Sequence, residues 1–231
     1  MSQSHKYGRT YHFPFSPGTT SDDRINYAYW EQLSNLQKVV HTEKLDGENT
    51  CLNQYGVFAR SHAAPTVHLW AAYLRERWQM INKDLGNLEV FGENLYAIHS
   101  IQYLDLEQHF YVFAIREEDR WLSWEEVKFY AAALDFLTVP EIKLVEPTLK
   151  ADFEVDILQL VQQESAFQSI DVHTGKASAM EGIVTRNVEG FSVEAFAENV
   201  FKYVRKDHVK TDEHWTRNWK RAPLKWEMKQ S

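Results

Sequence analysis

The sequence predicts an α+β fold of mainly antiparallel strands with a few flanking helices. Three observations lead to it. Alternating apolar and polar runs recur between Gln37 and Arg205, some joined by short turns bearing glycine or asparagine. Helical spacing or capping is confined to a few scattered stretches. The two kinds of element are interspersed without repeats or a low-complexity linker. The 231 residues are 44% hydrophobic and 14% aromatic, enough for the core of one domain.

Residues 1–24 read as irregular, with Pro14, Pro17 and Gly18 set among aromatics. Tyr27 to Leu36 suits a short helix, and Gln37 to Glu43 alternates as a strand. Asn49 to Asn53 and Val57 to Arg60 form a predicted hairpin turning at Gln54-Tyr55-Gly56. Val67, Trp70, Leu74, Trp78 and Ile81 recur at helical spacing, which predicts an amphipathic helix over 67–82. Leu88 to Leu95 and His109 to Arg116 are β-rich. Ser123 and Glu126 make a capping box that opens a helix through Leu134. Another helix is expected at about 152–163, with Phe153, Ile157, Leu160 and Val161 on its apolar side. Glu181 to Arg186 and Phe191 to Phe196 read as a second hairpin, and Val200 to Arg205 as the last strand.

A net charge of -8 argues against a blanket nucleic-acid binder. The charge is uneven, however. From Val200 onward nine cations face four anions, so this end carries +5 and the remainder -13. A basic end on an acidic body suggests one local polyanion site. The single cysteine, Cys51, excludes an internal disulfide, suits a reducing compartment and reads as a small buried strand residue. No apolar run reaches the roughly 18 residues of a membrane span, and the start lacks a signal peptide's apolar core. A cytoplasmic protein without a membrane partner is the expectation. The ten histidines lack zinc-ligand spacing, and His41 and His62 read as packed or solvated. Neither a Walker loop nor G-x-S-x-G occurs.

The chemistry-bearing stretch is Lys44-Leu45-Asp46-Gly47. Its lysine sits between two predicted strands, where an ammonium is costly to desolvate unless the site uses it. A lysine amine becomes a nucleophile once its pKa falls from about 10.4. Three acids each adjoin a glycine on or near a strand: Asp46-Gly47, Gly92-Glu93 and Glu181-Gly182. Carboxylates beside closely approachable backbone suit a ribose or a divalent metal. Arg60 and Lys202 add cations, and the set fits phosphoryl-type transfer to lysine assisted by Mg²⁺ or Mn²⁺.

These segments resemble the covalent nucleotidyltransferases, the polynucleotide ligases and mRNA capping enzymes. Lys44-Leu45-Asp46-Gly47 resembles motif I of that superfamily and Ala59-Arg60-Ser61 motif Ia. Val90-Phe91-Gly92-Glu93-Asn94-Leu95-Tyr96 resembles motif III and Phe110-Tyr111-Val112-Phe113-Ala114-Ile115 motif IIIa. Glu181-Gly182-Ile183-Val184 resembles motif IV and Phe201-Lys202-Tyr203-Val204 motif V. All six occur in the family's order between Lys44 and Lys206. Asn49, where DNA ligases and capping enzymes usually carry arginine, is similar to the branch of RNA ligase 2 and the RNA-editing ligases.

The resemblance implies an ATP-grasp-like nucleotidyltransferase domain and an ATP-dependent RNA ligase. Lys44 would take AMP, which then passes to an RNA 5′-phosphate before sealing to a 3′-hydroxyl. Arg60 and Glu93 would hold the ribose, and Phe113 would stack on adenine. Glu181 would act at the metal and lysine, with Glu93 as the other metal-side acid. Lys202 would act on the α-phosphate, Asn49 would serve the RNA-dependent steps, and Glu43 joins the nucleotide-binding set.

Two departures stand out. Motif V commonly carries a second lysine where this chain has Val204; Lys206 could replace it, or a bulge could bring Arg205 instead. After Lys206 about 25 residues remain, too few for an OB domain, so residues 1–231 are expected to be one domain with a basic tail at about 208–231. That tail interleaves Trp215 and Trp219 with Arg217, Lys220 and Arg221. A closing helix would bury the tryptophans, and the three cations are expected to hold RNA phosphates. Competing readings are a DNA-nick ligase, a capping-type enzyme and a non-catalytic module that binds nucleic-acid ends.

Overall fold

The structure is a computed structural model that describes residues 3–206 and 218–228. In chain order its first elements are β1 (Tyr11–His12), α1 (Tyr29–Leu33), β2 (Val39–Lys44), β3 (Glu48–Asn53), β4 (Gly56–Ala59) and α2 (Ala72–Ile81). Then come β5 (Leu88–Asn94), β6 (Ile101–Tyr103), β7 (Phe110–Glu117), β8 (Arg120–Trp121), α3 (Trp124–Ala133), β9 (Leu137–Thr138) and β10 (Glu141–Val145). The remainder are α4 (Lys150–Leu160), β11 (Glu164–Asp171), β12 (Ala177–Ala179), β13 (Gly182–Asn187), β14 (Phe191–Ser192), α5 (Phe196–Asn199), β15 (Val200–Val204) and α6 (Lys225–Met228).

Two sheets carry the architecture. A five-stranded sheet runs β1-β15-β13-β2-β10, and a seven-stranded one runs β14-β8-β7-β5-β3-β4 with β9 attached to β7. A small sheet, β12-β11-β6, stands beside them. Most pairings are antiparallel; β1 with β15 and β7 with β9 are parallel.

Strand alternation explains the two faces of the five-stranded sheet. Val39, Ile183, Phe201 and Tyr203 point to one side, where they bury against Phe13, Tyr29, Phe153 and Ile157. Thr42, Lys44, Val184 and Lys202 take the other side and line a cleft. On the far wall, Leu52, Val90, Val112 and Ile115 bury with Leu74, Trp124 and Val127, fixing α2 and α3 to the seven-stranded sheet. The Ser123–Glu126 capping box is present at the start of α3.

Several expectations need correction. Phe191–Ser192 does not fold back on β13; it pairs with β8 in the other sheet, and residues 193–199 are helical. The hydrogen bond from Trp124 N–H to the Val188 carbonyl (2.8 Å) draws the chain across. The helix expected over 67–82 begins as a short 3₁₀ turn at Leu69–Ala71, and Val67 is exposed. Strands β6 and β8 to β12 were not anticipated. They are short or, like β11, largely polar, so they carry little apolar alternation.

Of the tail, Trp215 and Arg217 lie outside the described residues. Trp219 is half-buried near Trp70 and Tyr96, but it precedes α6 rather than riding on a helix.

Candidate active site

The cleft has a volume of about 1230 Å³ and lies between the two main sheets. Lys44, at the end of β2, reaches Glu181, which directly precedes β13, with 2.5 Å between Nζ and Oε1. The register places Lys44 opposite Gly182, so the pairing of two strands brings these residues together across 137 positions. A Cβ on Gly182 would stand 2.0 Å from the Tyr203 carbonyl oxygen. Only glycine permits that approach of β13 to β15. Likewise, a Cβ on Gly47 would lie 2.6 Å from the Asn94 carbonyl, and one on Gly92 2.4 Å from the Phe110 ring. The glycines of the acid–glycine pairs thus permit close packing by protein, and Gly47 also borders the cleft.

Burial opposes the charge on Lys44, but the carboxylates of Glu181, Glu93 and Asp46 outweigh it and raise its pKa above the ordinary lysine value. In this state Lys44 is an ammonium. Glu93, facing Asn49 across β5 and β3, accepts a hydrogen bond from Gly47 N–H (3.0 Å). Burial pushes its pKa up to about 8; Lys44 opposes the rise, and Glu181 and Asp46 add to it. Asn49 also lines the cleft, with a buried Oδ1 lacking a hydrogen-bond partner among the described residues. Arg60 is exposed on the cleft wall.

Phe113 lines the cleft because β7 is irregular there. Phe91 pairs with Ala114 and Gly92 with Val112, so Phe113 is the extra residue. Tyr111 instead is buried, with its hydroxyl accepting from the Glu107 and Gln108 N–H groups. Lys202 lies opposite Val184 and beside His12. Burial lowers its pKa, and its ammonium lies 3.3 Å from Asp23.

Glu43 borders the cleft, but its carboxylate accepts from Ala166 N–H (3.0 Å) on the face of β2 opposite Lys44. Other expected residues lie elsewhere. Lys206 falls beyond the end of β15, is exposed and is absent from the cleft lining. Arg205 donates to Ser178 Oγ (2.8 Å), so neither replaces the missing motif V lysine in the cleft. Arg221 makes a two-pronged pair with Glu227 (2.8 and 2.9 Å) and stands over Tyr96. Lys220 is exposed, and neither lines the cleft. His41, His62 and Cys51 are buried, as expected.

The structure adds three contributions to the roles read from the sequence. Asp46 accepts from Ser100 N–H, Ser100 Oγ and Ile101 N–H (2.8–3.0 Å), anchoring the loop before β6. Arg186 is buried and donates to the Leu122 and Phe113 carbonyls (2.7 and 3.4 Å), supporting the residue that faces the cleft. The N-terminal segment supplies Lys6, Arg9 and Asp23 to the lining. The first two kinds of contact have no local signal, since their partners are distant in sequence.

A family model described as RNA ligase matches residues 37–204. No curated protein matches the sequence. Among solved structures, a mutant of Naegleria gruberi RNA ligase with ATP and Mn is 19% identical with a TM-score of 0.53, covering 84% of this chain and 58% of that one. Another mutant of that ligase with ATP and Mn is 18% identical with a TM-score of 0.54, covering 94% and 63%. A third, with AMP and Mn, is 20% identical with a TM-score of 0.52, covering 88% and 60%. The chain spans less than two thirds of the length of these proteins, and at such identities the likeness shows a shared fold. The family match itself takes in most of the chain, from before Lys44 through Val204, and the chain belongs to the RNA ligase family.

Proposed function

We propose that this protein is an ATP-dependent RNA ligase that works through a covalent AMP on Lys44. The observation that carries the reading is the Lys44–Glu181 pair at 2.5 Å within a cleft that also holds Glu93, Arg60, Phe113 and Lys202. The cleft volume suits a nucleoside triphosphate, and the unpartnered Asn49 Oδ1 offers an acceptor to a ligand.

In the first step the Lys44 amine attacks the α-phosphorus of ATP, a phosphoamide bond forms, and pyrophosphate leaves. The ammonium must first lose a proton, and Glu181 Oε1 is placed to take it. Lys202 bears on the α-phosphate, Arg60 and Glu93 on the ribose, and Phe113 on the base. In the second step the RNA 5′-phosphate displaces Lys44 and takes AMP. In the third the 3′-hydroxyl attacks that phosphate and AMP is released. Asn49, open to the cleft, suits these later steps.

The carboxylates of Glu181 and Glu93 at the cleft are hard oxygen donors of the kind a divalent ion shared with the triphosphate takes. Glu181 and Glu93 would furnish part of the coordination, as is usual for Mg²⁺. Such an ion supplies charge neutralisation on the phosphates.

The functional test is end joining. Purified protein with ATP, Mg²⁺ and RNA bearing 5′-phosphate and 3′-hydroxyl ends should give a joined product, and Lys44→Ala should give none. Joining by Lys44→Ala, or joining of DNA alone, contradicts the reading.

A further inference from the structure

The family match begins at residue 37, yet an arm preceding it forms one wall of the cleft. The arm starts on the seven-stranded sheet, where Asn53 donates to the Gln3 carbonyl (2.9 Å), Ser4 Oγ meets His62 Nδ1 (2.7 Å) and His5 N–H donates to Glu89 (2.8 Å). Tyr7 then inserts among Phe91, Phe113, Trp121 and Phe196. Next the arm joins the other sheet: β1 pairs with β15, and Gly18 N–H donates to the Val204 carbonyl (2.9 Å). Val204, which stands where a second lysine was expected, is buried against the arm at Gly18.

The arm ends at Asp23, which is tied from both sides. Its Oδ2 accepts from Thr20 N–H and Oγ1, both at 3.0 Å. Its Oδ1 lies 3.3 Å from Lys202 Nζ and 3.1 Å from His12 Nε2. His12 is buried, adjoins Lys202 in register and holds Ser16 Oγ through Nδ1 (2.8 Å). Burial and the Lys202 charge take the His12 pKa down to about 4, so its ring is neutral and Lys202 is the cation that Asp23 meets.

Resting on the ligase reading above, we propose that Asp23 is a positioning residue for Lys202: the arm fixes one carboxylate that aims the lone cleft-facing cation of β15 at the α-phosphate. A lysine has several rotatable bonds to order, and an anchored carboxylate orders them before the nucleotide arrives. The same carboxylate lessens the attraction of Lys202 for phosphate. The two effects have opposite signs on rate and on affinity, which separates positioning from a merely structural role.

The test is single-turnover formation of lysyl-AMP across ATP concentrations, with thermal midpoints recorded for each variant. Asp23→Asn should slow the maximal rate by about tenfold or more, while half-saturating ATP stays level or falls by about threefold. Asp23→Glu should recover part of the rate. Asp22→Asn, which removes the neighbouring charge and leaves the Asp23–Lys202 pair in place, should keep the wild-type rate. Thr20→Val, at an exposed position, leaves the carboxylate and loosens its hold, and should give an intermediate rate even if Asp23→Asn folds poorly. A wild-type rate in Asp23→Asn or in Thr20→Val overturns the proposal. So does a rate loss in which ATP binding weakens in proportion. A wild-type protein that forms no lysyl-AMP overturns the ligase reading and this proposal with it; an active wild type with an indifferent Asp23 overturns this proposal alone.

Discussion

Replacing Glu93 by glutamine should change how stability depends on pH, and the direction follows from its surroundings. In the folded protein burial pushes the Glu93 pKa up to about 8, against an ordinary 4.5. Between those values the folded state holds a proton that the unfolded chain releases. The unfolding free energy therefore falls as pH rises through this window, by up to about 1.4 kcal/mol per unit and roughly 5 kcal/mol in all. The Lys44 charge nearby shares this response, so the full figure is an upper bound. Glutamine carries no such proton. In urea titrations at pH 5, 6.5 and 8, Glu93→Gln should gain stability relative to wild type at each step, with the largest gain at pH 8. The comparison with wild type cancels the buried histidines, which titrate alike in both. A difference that is flat with pH, or one that shrinks toward pH 8, refutes the assignment of a protonated Glu93.

The remaining expectations are briefer. His12 and His41 have pKa values lowered to about 4 by burial, so their unfolded forms bind protons first as pH falls below 6.5; each should withdraw up to about 3 kcal/mol by pH 4, seen as a falling urea midpoint. Gly182→Ala sets a Cβ 2.0 Å from the Tyr203 carbonyl and should cost roughly 2 kcal/mol or more in chemical denaturation. Arg186→Ala orphans the Leu122 and Phe113 carbonyls and should cost about 2–4 kcal/mol while weakening ATP binding, read by calorimetry. Arg60→Ala, exposed on the cleft wall, should alter stability by less than about 0.5 kcal/mol yet depress lysyl-AMP formation; unchanged labelling removes Arg60 from the site.

Much of the site was legible because its residues sit at strand ends and in short, ordered motifs. Pairing within one sheet brings Lys44, Glu181 and Lys202 together, and Glu93 meets them from the other sheet, tied to the loop after β2 by the Gly47 N–H. Alternation along β15 sets Lys202 on the cleft side and Tyr203 in the core. The same alternation misled where it was extended past the strand's end. Lys206 shares a parity with Lys202, but β15 stops at Val204 and the parity lapses with it. Glu43 was grouped with its neighbour Lys44 although successive strand residues face opposite ways. Arg221, expected to hold RNA phosphate, pairs with Glu227 six positions on, a partner its charge did not announce. The arm was the largest omission. Its prolines and glycine read as irregular chain, and the contact that gives Asp23 its place in the site, with Lys202, spans 179 positions.

The central claim rests on one bond between Lys44 and AMP. Intact-protein mass spectrometry after incubation with ATP and Mg²⁺ should show one added AMP, stable at alkaline pH and lost in acid, with the adduct mapped to Lys44 by peptide digestion. Lys44→Ala should carry none while keeping its thermal midpoint within a few degrees. An adduct on another residue, an adduct in Lys44→Ala, or a preference for GMP would contradict the account.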